Sequence, residues 1–369
     1  MLRSPKRVFR SISLFLFLSS LAVFLSDWRF FARLATYPKE SPITSSQWYS
    51  PLERVDASAL NELPKVSQTE GRFREQTLEQ AKGYAKEKNS SALIVLHEGK
   101  VVLEYYADGF DARSLTNSMS MAKTVLAILI GIAIDEGEIG SEEDAVAKYL
   151  PEWVQDSRSQ IKIKHLLQMS SGLEFNEDGG DVFSALTRMH LGSNLLPLVF
   201  GAKSKQAPGL THEYMNVNAQ ILGILLERAT GQRFSQYLSQ KLWKPLQASE
   251  AFVWLDRPGG SAKTYCCIFA SAQDWARVGQ LMLDLGKTAG QRVVSEKWVK
   301  KMVTPSPYNK EYGFLTWLDS GFYYLDGKGR QRVYVLPKES LVIVRLGEHA
   351  RGWDHLRLPD LFRKDLQIF

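Results

Sequence analysis

Ser120-Met121-Ala122-Lys123 opens a run, Thr124-Val125-Leu126-Ala127-Ile128-Leu129-Ile130-Gly131-Ile132-Ala133-Ile134, that carries no further charge until Asp135. A helix that is apolar nearly all round is a buried helix, so this segment is expected at the centre of the fold. Ser120 and Lys123 lie three residues apart, on one helical face about one turn from each other, so the amine can reach the hydroxyl. Burying a lysine on the first turn lowers its pKa. A neutral amine beside a hydroxyl is a general base beside a nucleophile. A second Ser-x-x-Lys, Ser159-Gln160-Ile161-Lys162, precedes His165, Leu166 and Leu167, and there Ser159 reads as a helix cap. So short a pattern also arises by chance, and the weight falls on what accompanies it.

Working outward, the 369 residues are 44% hydrophobic and 11% aromatic, enough for a sizeable core in one large domain or two interlocked ones. Arg3, Lys6, Arg7 and Arg10 precede an apolar stretch from Ile12 to Leu25, the pattern of a signal anchor or a signal peptide over residues 1–26. No small-residue cleavage site follows, which favours the uncleaved anchor with the rest of the chain on the exported, periplasmic or extracellular, side. Secretion after cleavage is the alternative. Those four basic residues account for most of the formal net charge of +6. The remainder is nearly balanced, and no basic stripe with interleaved aromatics argues for nucleic-acid binding. The two cysteines, Cys266 and Cys267, are adjacent. Neighbouring cysteines rarely bridge each other, so no disulfide framework is expected and both read as core residues.

Residues 27–70 are broken by Pro38, Pro42, Pro51 and Pro64 and read as a tether, with the main domain over 71–369. Within it, Glu75 to Lys88 reads as a helix. Ala92 to His97 and Val101 to Tyr106 read as a hairpin around Glu98-Gly99-Lys100. A mainly helical middle runs to about residue 245 and contains a helix from Asn218 to Thr230, capped by Asn218 and closed by Gly231. Residues 271–303 are again helical, and strands return at Gly321 to Leu325, Arg332 to Leu336 and Leu341 to Leu346. The expected fold is therefore α/β of the α+β kind: one antiparallel sheet built from N- and C-terminal strands, flanked by helices, with an inserted mainly helical subdomain.

Two further elements carry chemistry. Tyr214-Met215-Asn216 is the one Tyr-x-Asn among 14 tyrosines. A phenol near an ammonium can hold or pass a proton, and the Asn216 carboxamide offers a donor and an acceptor to a substrate amide. Gly327-Lys328-Gly329-Arg330-Gln331 precedes a strand; glycine there lets backbone approach a ligand, and Lys328 can hold an anionic group. A plain hairpin turn is the alternative reading. There is no Gly-x-Ser-x-Gly, and the six histidines show no metal-ligand spacing. His165 fits a helix better than a metal.

Ser-x-x-Lys, Tyr-x-Asn and a Lys-x-Gly turn, in this order, resemble the serine β-lactamase and penicillin-binding-protein superfamily. The likeness is greatest to its class C-like branch of 6-aminohexanoate-dimer hydrolases, carboxylesterases and D-aminopeptidases. It spans about residues 75–350 and extends to non-catalytic stretches such as Ile163 to Leu173, Asp144 to Pro151 and Ser271 to Gln280. The resemblance implies a β-lactamase-like fold and a serine hydrolase of small amides or esters, with Ser120, Lys123 and Tyr214 catalytic and no metal or organic cofactor. It implies substrate contacts from Asn216, Lys328, Gly329, Arg330 and Gln331, and an oxyanion hole from the backbone N–H groups of Ser120 and Gln331. Arg330 stands where the family has glycine. It is expected to narrow the acyl pocket or select acidic substrates, and it keeps alive the reading of a binding or sensor module without turnover. A penicillin-recognising cell-wall D-aminopeptidase or carboxypeptidase is the other rival. The shape of the pocket is expected to lie in residues 174–205.

Overall fold

The computed structural model describes residues 27–57, 62–66, 72–288 and 290–367. The stretch read as a signal anchor or signal peptide lies outside them. In chain order, the elements that place the site are helix α1 (Trp28–Thr36), strand β1 (Leu52–Val55), helix α2 (Glu75–Glu87), strands β2 (Ser90–His97), β3 (Lys100–Tyr106) and β4 (Thr116–Asn117), and helix α3 (Ala122–Asp135). Then come α4 (Ala185–Leu191), α5 (Asn216–Thr230), β5 (Ala251–Trp254), β6 (Ile268–Ala270) and α6 (Ala272–Leu283). The chain closes through β7 (Trp317–Asp319), β8 (Phe322–Gly327), β9 (Gln331–Leu336), β10 (Leu341–Gly347) and α7 (Arg357–Leu366).

The expected joining of the two ends of the chain is present. The main sheet is antiparallel in the order β7-β8-β9-β10-β2-β3, and the N-terminal hairpin meets the C-terminal strands where Val95 pairs with Ile343. Alternation along β2 decides which layer each residue enters, because successive side chains leave a strand on opposite faces. Leu93 and Val95 pack with Ala81, Ala85, Leu358 and Phe362 under α2 and α7. Ala92, Ile94 and Leu96 face the main core, which holds α3, α5 and α6. Helix α6 lies close on that face: a Cβ at Gly279 would meet Val342 Cγ1 at 2.5 Å. All residues of α3 from Ala122 to Ala133 are buried, as the apolar run predicts. At about 1.5–3 kcal/mol for each large side chain withdrawn from water, this helix is a main anchor of the core.

The segment read as a tether is different in the structure. It carries α1 and β1, and β1 pairs antiparallel with β5 in a second sheet of order β1-β5-β6-β4. The helix ends before the first of the prolines that suggested a linker, Pro38, and the edge strand fits between Pro51 and Pro64. The helix read from Asn218 begins instead at Asn216; Asn218 is buried and its Oδ1 accepts from Ser171 Oγ at 2.7 Å rather than capping. Ser159 lies in a 3₁₀ turn capped by Asp156 and is not a cap itself. The stretch over residues 271–303 divides into α6 and a shorter helix, Glu296–Met302, with a small hairpin between them. Cys266 and Cys267 are both buried, as expected, but are joined to each other, contrary to the expectation for neighbours.

Candidate active site

The nucleophile candidate sits on a turn made by sequence-local hydrogen bonds. Asn117, at the end of β4, accepts from Met119 N through Oδ1 at 2.9 Å. Ser118 is tied to β6, its Oγ accepting from Ile268 N at 3.1 Å. Met119 adopts φ +47°, which turns the chain so that Met119–Met121 form one 3₁₀ turn running into α3. Ser120 is thereby half-exposed at the N-terminal end of a buried helix, where the dipole favours developing negative charge. Across the site, β8 ends at Gly327, whose missing Cβ matters: one built there would lie 2.4 Å from the Ser118 carbonyl oxygen. Glycine lets the strand end approach the nucleophile turn.

Lys123 is 1% exposed and donates three hydrogen bonds: to Ser120 Oγ at 2.9 Å, Asn216 Oδ1 at 2.8 Å and the Tyr265 carbonyl at 2.8 Å. Burial brings its pKa down to about 7, against the opposing pull of Glu177 and Asp326. This geometry directs the lone pair of the neutral amine. Asn216 Oδ1 and the Tyr265 carbonyl are acceptors only and hold two N–H groups. The third position, facing the Ser120 hydroxyl, is left to accept a proton.

Tyr214 hydrogen-bonds Ser120, and burial holds its phenol above the ordinary value of 10. It therefore keeps its proton at neutral pH. Its ring is held against Trp317 and meets Tyr312 edge-on. Asn216, expected to face a substrate amide, has both ends of its carboxamide occupied within the protein: Oδ1 by Lys123, and Nδ2 donating to Glu177 Oε2 at 2.7 Å. It orients the lysine. Glu177 was not legible in the sequence, since a lone glutamate in a loop carries no spacing signal; it lies in the 174–205 region that was expected to shape the site.

Ser120, Tyr214, Asn216 and Lys328 line one cavity of about 490 Å³. Residues Gly179, Gly180, Val182, Leu186, Thr187, His190 and Leu191 form a wall of it, so the 174–205 expectation holds. Leu34, Tyr37 and Lys39 form another part, which makes the supposed tether a piece of the site. Arg33 holds that piece down: buried, it donates to Leu191 O at 3.1 Å, Gly192 O at 3.0 Å and Ser50 O at 2.8 Å, and lies over the Trp254 ring.

Three of the expected substrate contacts are placed elsewhere. Gly329, Arg330 and Gln331 are not among the described residues lining the cavity. Arg330 is exposed at the turn with φ +69°. Gln331 is fully buried and its Oε1 accepts from Gly347 N at 3.1 Å, so the expected second oxyanion donor is not on the cavity wall. The second Ser-x-x-Lys forms no pair of this kind: Lys162 Nζ turns to Glu143 Oε2 at 3.0 Å.

Comparison with known proteins agrees with this geometry. The beta-lactamase family profile matches residues 76–360. The 6-aminohexanoate-dimer hydrolase of Paenarthrobacter ureafaciens is 28% identical over 365 residues, covering 89% of this chain and 88% of that protein. A Bacillus anthracis structure provisionally called a 6-aminohexanoate-dimer hydrolase superposes with a TM-score of 0.73 at 19% identity, covering 88% of this chain and 91% of its own. EstCE1, a hydrolase with promiscuous acyltransferase activity, superposes with a TM-score of 0.63 at 15% identity over 79% of this chain and 97% of its own. Such structural likeness at low identity carries the fold.

Proposed function

The chain belongs to the beta-lactamase family, and from that premise we propose that it is a serine hydrolase cleaving amide or ester bonds of small substrates through an acyl-enzyme on Ser120. The observation that carries this reading is the Lys123 amine, neutral near pH 7 and held by two fixed acceptors so that its remaining position faces Ser120 Oγ. As Ser120 Oγ attacks the carbonyl, Lys123 takes its proton. The carbonyl oxygen becomes an oxyanion facing the backbone N–H of Ser120 at the helix N-terminal end. Tyr214, still protonated, gives its proton to the leaving amine or alkoxide and regains one from Lys123. Water then attacks the acyl group along the same path in reverse. The test is stoichiometric labelling of the full-length chain with a fluorophosphonate, followed by turnover of small esters and linear amides; labelling without turnover would favour an acylating sensor.

The cavity wall supports a substrate class. Its charged side chains are Lys39 and Lys328, with no carboxylate among the described lining residues, and Leu34, Leu186 and Leu191 add an apolar surface. A short aliphatic acyl arm ending in a carboxylate fits such a wall. With Lys39 on the wall and Arg330 off it, the two cations separate in a single experiment. Lys39→Ala is expected to raise KM for an acid-bearing ester by about two- to fivefold, as for an exposed charge pair of up to about 1 kcal/mol, and to leave its neutral counterpart unchanged. Arg330→Gly is expected to leave the ratio of kcat/KM for the two esters unchanged. A shifted ratio in Arg330→Gly alone would return the selecting role to the turn.

We also propose that residues 1–26 anchor the enzyme in a membrane with its catalytic domain on the exported side, on the strength of the basic flank and the Ile12 to Leu25 apolar stretch. No helix among the described residues is long and apolar enough to cross a membrane. The full-length chain is expected to sediment with membranes and to be released by detergent but not by high salt. A mature chain starting near residue 27 by mass spectrometry would replace the anchor with a cleaved signal.

A further inference from the structure

His190 lies far in sequence from the adjacent Cys266 and Cys267, and no spacing rule links it to them, yet the fold brings the three ligand atoms within 4.8 Å of one another. Helix α4 supplies His190. The loop before β6 supplies the cysteines, immediately after Tyr265, whose carbonyl holds Lys123. His190 and Cys266 line the catalytic cavity, whereas Cys267 is fully buried behind it. In the structure the two sulfurs are bonded to each other, and neutral disulfide sulfurs are weak metal ligands beside thiolates. We propose that, once this disulfide is reduced, Cys266, Cys267 and His190 form a site for a thiophilic divalent cation of the zinc type in the wall of the catalytic pocket.

Two thiolates and one imidazole are a zinc ligand set that leaves a fourth position open, here towards the pocket. Tetrahedral ligation at roughly 2.3 Å for sulfur and 2.0 Å for nitrogen puts the ligand atoms roughly 3.5–3.8 Å apart, a separation to which the two bonded sulfurs part on reduction, His190 already lying within 4.8 Å of both. The Tyr265 hydroxyl lies 3.1 Å from His190 Nδ1 and orients the ring, as an outer partner does for a ligating histidine. Reduction is a two-electron exchange with a dithiol. One reductant thiolate enters through the pocket and attacks Cys266 Sγ, the S–S bond breaks, and Cys267 leaves as thiolate. The second reductant thiol then closes its own disulfide and frees Cys266. Binding of the cation displaces the two thiol protons.

The test uses untagged full-length chain in detergent, reduced with a dithiol that is removed under nitrogen, and titrated with Co²⁺ and then Zn²⁺. The reduced chain is expected to bind one equivalent of Co²⁺ with a thiolate-to-cobalt charge-transfer band, which Zn²⁺ abolishes by displacement. The disulfide form is expected to show no band. Cys267→Ser, which changes one buried atom, and His190→Ala are each expected to weaken binding at least tenfold, with circular dichroism confirming that both fold. No band in the reduced wild-type chain, or a band unchanged in folded Cys267→Ser, would overturn the site. Neither readout uses hydrolysis, so the proposal stands or falls separately from the activity proposed above. Should the ester assay be active, Zn²⁺ is expected to inhibit the reduced chain and spare the oxidised one.

Discussion

Ser120→Ala is expected to abolish covalent labelling and to lower kcat by about 10³–10⁶, the range seen when a serine nucleophile is removed from an intact site. Lys123 donates to Ser120 Oγ at 2.9 Å, and Ser120 alone in the site combines a hydroxyl, a neutral base and a position at a helix N-terminus. Folding should be little changed, because Ser120 is half-exposed and Lys123 retains Asn216 Oδ1 and the Tyr265 carbonyl as partners. Ser159→Ala is the control. Its lysine, Lys162, is paired with Glu143, so labelling should persist at the wild-type level. Labelling by a fluorophosphonate, located by peptide mass spectrometry, decides between them. A label that survives Ser120→Ala would reject the acyl-enzyme.

The second large effect is expected at Lys123. Lys123→Met keeps the length of a fully buried side chain and removes the base, so kcat should fall by about 10²–10⁴. In the wild-type chain the base is active only after losing its proton. With a pKa brought to about 7 by burial, kcat/KM should climb as pH rises through 7, where it is half-maximal, and level off above it. Tyr214, held above its ordinary value of 10, stays protonated, so no loss is expected on the alkaline side before about pH 10. Glu177 sharpens the test. Its carboxylate raises the Lys123 pKa and also accepts from Asn216 Nδ2. Glu177→Gln removes the charge and keeps an acceptor, so the acid limb should move to lower pH. A limb that stays in place, or moves upward, would show that Lys123 is not the titrating group.

Local pattern made the architecture readable. The apolar run after Lys123, the short apolar runs in Ser90–His97 and Leu341–Gly347, and the glycine closing Asn216–Thr230 each report a local pattern or a backbone demand met by neighbours in the chain. Ser120, Lys123 and Tyr214 were legible as candidates for a related reason: residue chemistry and short spacing singled them out, and all three converge on one site. Arg330 shows the limit of such reading. Its place in a motif suggested a pocket cation, but its left-handed backbone places it on the exposed turn, off the cavity wall.

By itself the amino-acid sequence determined the buried helix, the joining of both chain ends in one sheet and the serine–lysine pair, because apolar periodicity and i,i+3 geometry are local properties. Only the tertiary structure decided the rest of the site. Glu177 orienting Asn216, Lys39 of the proline-rich segment facing the cavity, and His190 beside Cys266 and Cys267 all join residues distant along the chain. Such contacts depend on how whole elements pack: Arg33 tying α1 to the end of α4, and Gly327 letting β8 reach the nucleophile turn. Packing of that kind leaves no period in the sequence, since each partner obeys only its own local pattern and the meeting point is set by the shape of the core between them.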